Sequence, residues 1–181
     1  MSNSRQIAIF GGGCFWCTEA VFKELRGVVS VTPGYAGGEK QNPNYDSVSM
    51  GNTGYAEVIR IEFDADEISY ADLLDVFFHT HNPTTMNQQG ADVGTQYRSI
   101  ILYTSDEQKM AAEKAISDLE NSGEFKGFIV TEVQPLVKFY EAEDYHHDYF
   151  TRNFDINPYC QVVISPKLRK LREKYAQKLK S

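Results

Sequence analysis

Apolar positions along this chain switch repeatedly between a period of two and a period near 3.6, the signature of strands that alternate with helices. Gln6 to Phe10 reads as a strand that runs into Gly11, Gly12 and Gly13. From there Cys14, Cys17, Val21 and Leu25 recur at helical spacing, and Gly27 closes the segment. A strand follows over Val28 to Thr32. Pro33 to Thr53, rich in Gly, Asn, Pro and Ser, predicts a long loop of the kind that carries function. Ala56 to Phe63 alternates, with Ile59, Ile61 and Phe63 on one face, Arg60 and Glu62 on the other, and Val58 out of pattern. Ser69 and Asp72 form a capping-box start for a helix that carries Leu73, Leu74, Phe77 and Phe78 and ends near His79. His81 to Gln96 predicts a second long loop, followed by a strand over Tyr97 to Tyr103. Ser105 caps a helix with Met110, Ile116 and Leu119 that stops at Gly123, and a further strand is expected around Phe128 to Val133. Beyond Pro135 the pattern weakens until Ser165 and Pro166 open a last helix with Leu168, Leu171, Tyr175 and Leu179 on one stripe.

This order predicts an α/β fold: a two-layer α+β sandwich with a ferredoxin-like split βαβ core, extra helices and an irregular C-terminal region. A length of 181 residues fits a single catalytic domain over residues 1–181, and 41% hydrophobic residues suffice for its core. The net charge of −7 argues against a nucleic-acid partner, which needs a basic footprint. Lys and Arg do cluster near the C-terminus, but they alternate with leucines and read as the wet face of a helix. The N-terminus lacks the apolar run of a secretory signal, and no segment approaches the roughly 18 apolar residues of a membrane span. The expectation is a cytoplasmic protein with no membrane partner. Three cysteines match a secreted disulfide framework poorly, and the Cys14–Cys17 CxxC pair points to redox chemistry or metal.

The glycine turn delivers Cys14 to a helix start beside the chain's one Trp. Helix N-termini favour anions, so Cys14 is expected to be substantially ionised at neutral pH; the alternative is a small packing residue. Cys17, three positions on, falls on the same side of the helix, with Cα atoms about 5–6 Å away, within reach of a disulfide. Cys160, in Pro158-Tyr159-Cys160, stands in an irregular stretch free to swing toward the site. Strand parity places Glu57 on the inward face with Ile59, where desolvation would keep a proton on it and make it a general acid; a wet strand end is the alternative. Tyr45, Tyr97 and Asp92 lie in or beside the two long loops, where phenols can donate to a polar oxygen. Phe15 and Trp16 flank the thiol as a small apolar wall. A zinc site built from Cys14, Cys17, His146 and His147 is disfavoured, because no second CxxC exists and adjacent histidines on a helix diverge. The glycine run lacks the following Lys-Ser/Thr of a phosphate loop.

Gly13-Cys14-Phe15-Trp16, Gly51 to Val58 and Asp92 to Ser99 together resemble the A-type peptide methionine sulfoxide reductases. The resemblance also takes in Gly34 to Gly38, Asn42 to Tyr45, His81 to Thr84 and Ala142 to His146, so it spans nearly the whole chain. It implies reduction of methionine-(S)-sulfoxide, free or in proteins, in protein repair and oxidative-stress defence. Cys14 would be the nucleophile, Phe15 and Trp16 a cage for the methyl group, and Glu57, Tyr45 and Tyr97 the groups that hold and protonate the oxygen. Asp92 would support the same pocket. A Cys14 sulfenic acid would condense with Cys17 or Cys160, the resulting disulfide would be recycled by thioredoxin, and the protein would act as a monomer with no cofactor or metal. Two positions depart from the family's habit: Tyr55 where it commonly has His, and Cys17 where many members have Gly. The alternatives are a general thioredoxin-like CxxC oxidoreductase, or a non-catalytic redox-sensing or zinc-binding module.

Overall fold

The computed structural model describes residues 4–181. Its main sheet takes six strands in the order β7-β6-β1-β3-β2-β8: β1 Arg5–Gly12, β2 Val28–Ala36, β3 Ala56–Asp64, β6 Ser99–Tyr103, β7 Glu132–Pro135 and β8 Phe139–Glu141. Two short strands, β4 Gln88–Gln89 and β5 Asp92–Val93, pair separately inside the second long loop. The four central strands, β6-β1-β3-β2, are antiparallel throughout. With α1 (Phe15–Lys23) between β1 and β2, and α3 (Tyr70–Thr80) between β3 and β6, this is the split βαβ arrangement expected from the sequence.

Both faces of the sheet are covered. On one, Phe10, Ile59, Ile61 and Phe63 pack with Phe22 of α1, Phe77 of α3, and Leu168 and Leu171 of α6 (Ser165–Lys174). On the other, Ile9, Ala36, Ala56, Val58, Ile100 and Leu102 form a smaller core under Leu136 and Phe139. Val58 broke the alternation for this reason: it faces a second apolar layer rather than water.

Several boundaries differ from the sequence reading. Inside the first loop, Asn44 and Ser47 exchange side-chain and backbone bonds in a capping box that starts α2, Tyr45–Ser49. Tyr97 belongs to a 3-10 turn over Thr95–Tyr97 rather than to β6, and Thr95 donates to the Gly51 carbonyl at 2.9 Å, so the two long loops hold each other. α4 spans Asp106–Ser122 and ends at Gly123, as expected. The strand expected from Phe128 begins only at Glu132, because the Ile129 and Val130 amides bond to the Glu120 side chain and the Pro83 carbonyl instead of a strand partner. The C-terminal stretch holds α5 (Tyr149–Asn153) and a π-helical turn over Cys160–Ile164 that runs into α6. That last helix ends at Lys174, and Leu179 makes a β-bridge to Leu25 instead of extending its stripe. Among the described residues no helix is long and apolar enough to cross a membrane.

Candidate active site

β1 delivers its last residues to the middle of the sheet edge, where the chain must turn at once into α1. Gly13 takes φ +96°, and a Cβ there would lie 2.7 Å from Cγ of Gln89, so the turn requires glycine. Cys14 then caps α1, and its carbonyl accepts from the Cys17 and Thr18 amides. The backbone of Cys14 is thereby fixed by the start of the helix.

Cys14 is 8% exposed and Cys17 1%, and their side chains are hydrogen-bonded to each other. Burial pushes the Cys14 thiol well above its usual range, and donation to Cys17 holds its proton further. The same bond lowers Cys17 to about 7 against the cost of burial, helped by the charge of Lys167 and by the Tyr159 hydroxyl. The expected ionisation of Cys14 is therefore reversed: loss of solvent outweighs the helix end, and of the two thiols Cys17 is the more readily ionised.

Glu57 is 2% exposed on β3, paired across from Tyr35. The Phe15 amide donates to its Oε1 at 3.1 Å. That bond favours the carboxylate, but burial prevails and the charges of Asp92 and Cys17 add to it, so the carboxyl is pushed up to about 8. At neutral pH Glu57 holds a proton, and its other oxygen can donate it.

Half-buried Trp16 stands beside the thiols in a stack of rings. Tyr149 lies parallel to it at 3.7 Å, and its Nε1–H donates to Nδ1 of His146 at 2.9 Å. Burial drops His146 to about 4, so the ring is neutral and carries its own proton on Nε2, which has no partner. Phe15 packs on His146 and Tyr35 with ring centres 4.9 and 5.6 Å away. Glu143 accepts from the Tyr35 hydroxyl at 2.8 Å and from the Tyr45 amide at 2.9 Å, which places the Tyr45 ring 6.5 Å from Trp16. Burial raises the Tyr45 phenol to about 12 and raises Tyr97 as well, with the Glu57 charge adding to both. Both phenols stay protonated and can donate.

The C-terminal stretch closes over these groups. Tyr159 donates to Oδ2 of Asp92 at 2.7 Å, lies 3.5 Å from Sγ of Cys17 and meets the Trp16 ring edge-on. Cys160 beside it is 0% exposed within the π-helical turn, so the expected freedom to swing is not found. Burial raises its pKa, and the charge it feels next is that of Cys17.

The residues read from the sequence thus converge: Cys14, Cys17, Glu57, Tyr45, Tyr97, Asp92, Phe15 and Trp16 surround one small volume, with Cys160 buried behind Cys17. Tyr149, Tyr159, Glu143 and Tyr35, which fix the aromatic wall, carried no role in the sequence reading, and His146 was weighed only for the disfavoured zinc site. Their signal was the Tyr145-His146 and Tyr159-Cys160 motifs, whose partners lie far along the chain. His146 and His147 turn to different partners, the latter to the Ala142 carbonyl, and no group of three or more metal-ligating side chains forms among the described residues.

Two buried thiols hydrogen-bonded to each other, next to a buried carboxyl that keeps its proton, define a thiol-dependent oxidoreductase. The chain belongs to the peptide methionine sulfoxide reductase family, whose sequence profile matches residues 6–180. It is 53% identical over 175 residues to "Peptide methionine sulfoxide reductase MsrA" of Saccharolobus solfataricus, covering 97% of each chain. The reduced form of Mxr1 from Saccharomyces cerevisiae superposes with a TM-score of 0.78 at 32% identity, covering 87% of this chain and 90% of that one. Mxr1 in complex with Trx2 shares the fold at a TM-score of 0.56 and 23% identity, covering 82% and 87%. The activity is accordingly that of a peptide methionine sulfoxide reductase.

Proposed function

We propose that this chain reduces methionine-(S)-sulfoxide, free or within proteins, through a Cys14 sulfenic acid and a Cys14–Cys17 disulfide that thioredoxin recycles. The observation that carries this reading is the hydrogen-bonded Cys14–Cys17 pair beside a protonated Glu57. The methyl group sits against Phe15 and Trp16, and the sulfoxide oxygen takes hydrogen bonds from Tyr45, Tyr97 and Glu57. Cys14 gives its proton to the Cys17 thiolate and attacks sulfur while Glu57 protonates oxygen. Methionine leaves as the S–O bond breaks, and the oxygen stays on Cys14 as a sulfenic acid. Cys17 then loses its proton again, attacks Cys14 sulfur and forms the disulfide, with hydroxide leaving as water. In sum two thiols and one sulfoxide give a disulfide, methionine and water.

Cys17 is favoured over Cys160 as the first resolving thiol because it already bonds to Cys14 and has the lower pKa. Cys160 lies next to Cys17 and takes a second place in the relay. The complex of Mxr1 with Trx2 supports a thioredoxin as the reductant. Incubation with separated sulfoxide epimers and dithiothreitol tests the reading: only the S form is consumed, and Cys14→Ser abolishes turnover. Undiminished turnover by that variant, or equal use of the R form, overturns it.

A further inference from the structure

A cavity of about 670 Å³ is lined by none of the aromatic residues Phe15, Trp16 and Tyr45, but by Cys14, Tyr159, His81, Gln89 and three lysines, Lys126, Lys167 and Lys170. None of the three is among the lysines with ion pairs, which are Lys23, Lys114 and Lys178 among the described residues. The acids that share the lining are engaged elsewhere: Asp92 accepts from Tyr159 at 2.7 Å, and Glu124 faces His79 at 2.8 Å. Lys167, Lys170 and Lys174 fall on one face of α6 by their spacing of three and four, so the basic strip continues beyond the cavity. Such a strip is conspicuous on a chain with a net charge of −7.

We propose that this lysine-lined cavity is the docking surface for the dithiol reductant, a redoxin with acidic side chains around its own thiol, and that the reductant reaches Cys14 through it. The inference rests on the thioredoxin recycling proposed above. Access and charge carry it. Cys17 is 1% exposed and does not line the cavity, and Cys160 is fully buried, so a thiol that enters this way meets Cys14 sulfur. The residues proposed to hold the sulfoxide and its methyl group, Phe15, Trp16, Tyr45, Tyr97 and Glu57, do not line this cavity, which leaves it for the second partner. The unpaired lysines steer an acidic face toward it.

The exchange balances. The incoming thiolate attacks Cys14 Sγ, a new S–S bond forms, and the Cys14–Cys17 bond breaks with its electron pair on Cys17. The low pKa of Cys17 suits it to leave, and the Lys167 charge favours the thiolate that results. The reductant's second thiol then attacks its own half of the mixed disulfide and releases Cys14. The reductant ends as a disulfide, and its two protons pass to Cys14 and Cys17.

Charge reversal at Lys126 and Lys170, the exposed lysines of the lining, tests the proposal. Rates with methionine-(S)-sulfoxide are measured with thioredoxin and with dithiothreitol. For Lys126→Glu/Lys170→Glu, kcat/KM for thioredoxin is expected to fall at least about tenfold relative to the dithiothreitol-supported rate. Raising salt from about 0.02 M to about 0.3 M should slow the wild-type thioredoxin reaction and barely change that of the variant. An equal fall with both reductants, or none, overturns the proposal. So does a higher KM for a peptide sulfoxide with acidic flanks when thioredoxin kinetics are unaltered, which assigns the strip to the substrate. A wild-type protein that reduces no sulfoxide with dithiothreitol refutes the proposed function instead.

Discussion

The Phe15 amide donates to Oε1 of Glu57 at 3.1 Å, so the carboxyl on the central strand is bonded to the first residue of the helix that Cys14 caps. Carboxyl and thiol are held in one frame by backbone, and in the proposed reaction the second carboxyl oxygen is the one that meets the sulfoxide. A hydrogen-bond donor survives at this place in Glu57→Gln but not in Glu57→Ala. Steady-state kcat/KM for the S-sulfoxide should fall in both, and about tenfold less in Gln than in Ala. Full activity in both variants would remove Glu57 from the mechanism.

Glu57 also makes stability depend on pH. Its folded value of about 8 lies above its ordinary value of 4.5, so between these limits the folded state holds a proton that the unfolded state has lost. Stability should decline as pH rises through this window, by up to on the order of 5 kcal/mol at 1.36 kcal/mol per pH unit. Glu57→Gln abolishes this contribution. Thermal unfolding from pH 5 to pH 9 should therefore show the variant gaining on the wild type as pH rises; parallel curves would contradict the burial of an ionisable carboxyl.

His146 accepts the Trp16 indole proton at 2.9 Å from 130 positions away. His146→Ala leaves that N–H without its partner and frees the ring to tilt, at a cost of about 1–3 kcal/mol. The expected readout is a KM for sulfoxide raised about 5- to 150-fold. An unchanged KM would show that Trp16 is held by the Tyr149 stack alone.

Gly13→Ala combines a strained backbone at φ +96° with a contact 2.7 Å from Gln89 Cγ. A loss of about 1–3 kcal/mol is expected in denaturant unfolding, together with lower activity because Cys14 shifts. Adding Gln89→Gly, which removes both the Cγ at 2.7 Å and the Cβ at 2.9 Å, should relieve the contact and leave the backbone cost. Full recovery in the double variant would mean that the positive φ matters little.

Much of this site was legible because its determinants are local. The glycine turn into Cys14 and the inward parity of Glu57 follow from spacing within a few residues, and the motifs around them pointed to the family. Ionisation of Cys14 was misread because the helix end is a local feature, whereas burial within the folded chain is a tertiary one and outweighs it. α2 escaped notice because its capping box uses Ser47 where Glu or Gln gives the usual signal. His146, Tyr149 and Tyr159 were beyond reach for a different reason: they act on α1 from across the fold, and no periodicity within the C-terminal stretch reports that.

The central claim, that Cys14 attacks sulfoxide and Cys17 resolves it, is tested most directly by a single turnover. Reduced protein is mixed with one equivalent of methionine-(S)-sulfoxide without reductant, quenched, alkylated and digested, and the disulfide-linked peptides are identified by mass. The expected result is one methionine released per protein, two thiols lost and a Cys14–Cys17 linkage as the first disulfide. Methionine release with Cys14 still a free thiol, or a first disulfide that excludes Cys17, would contradict it.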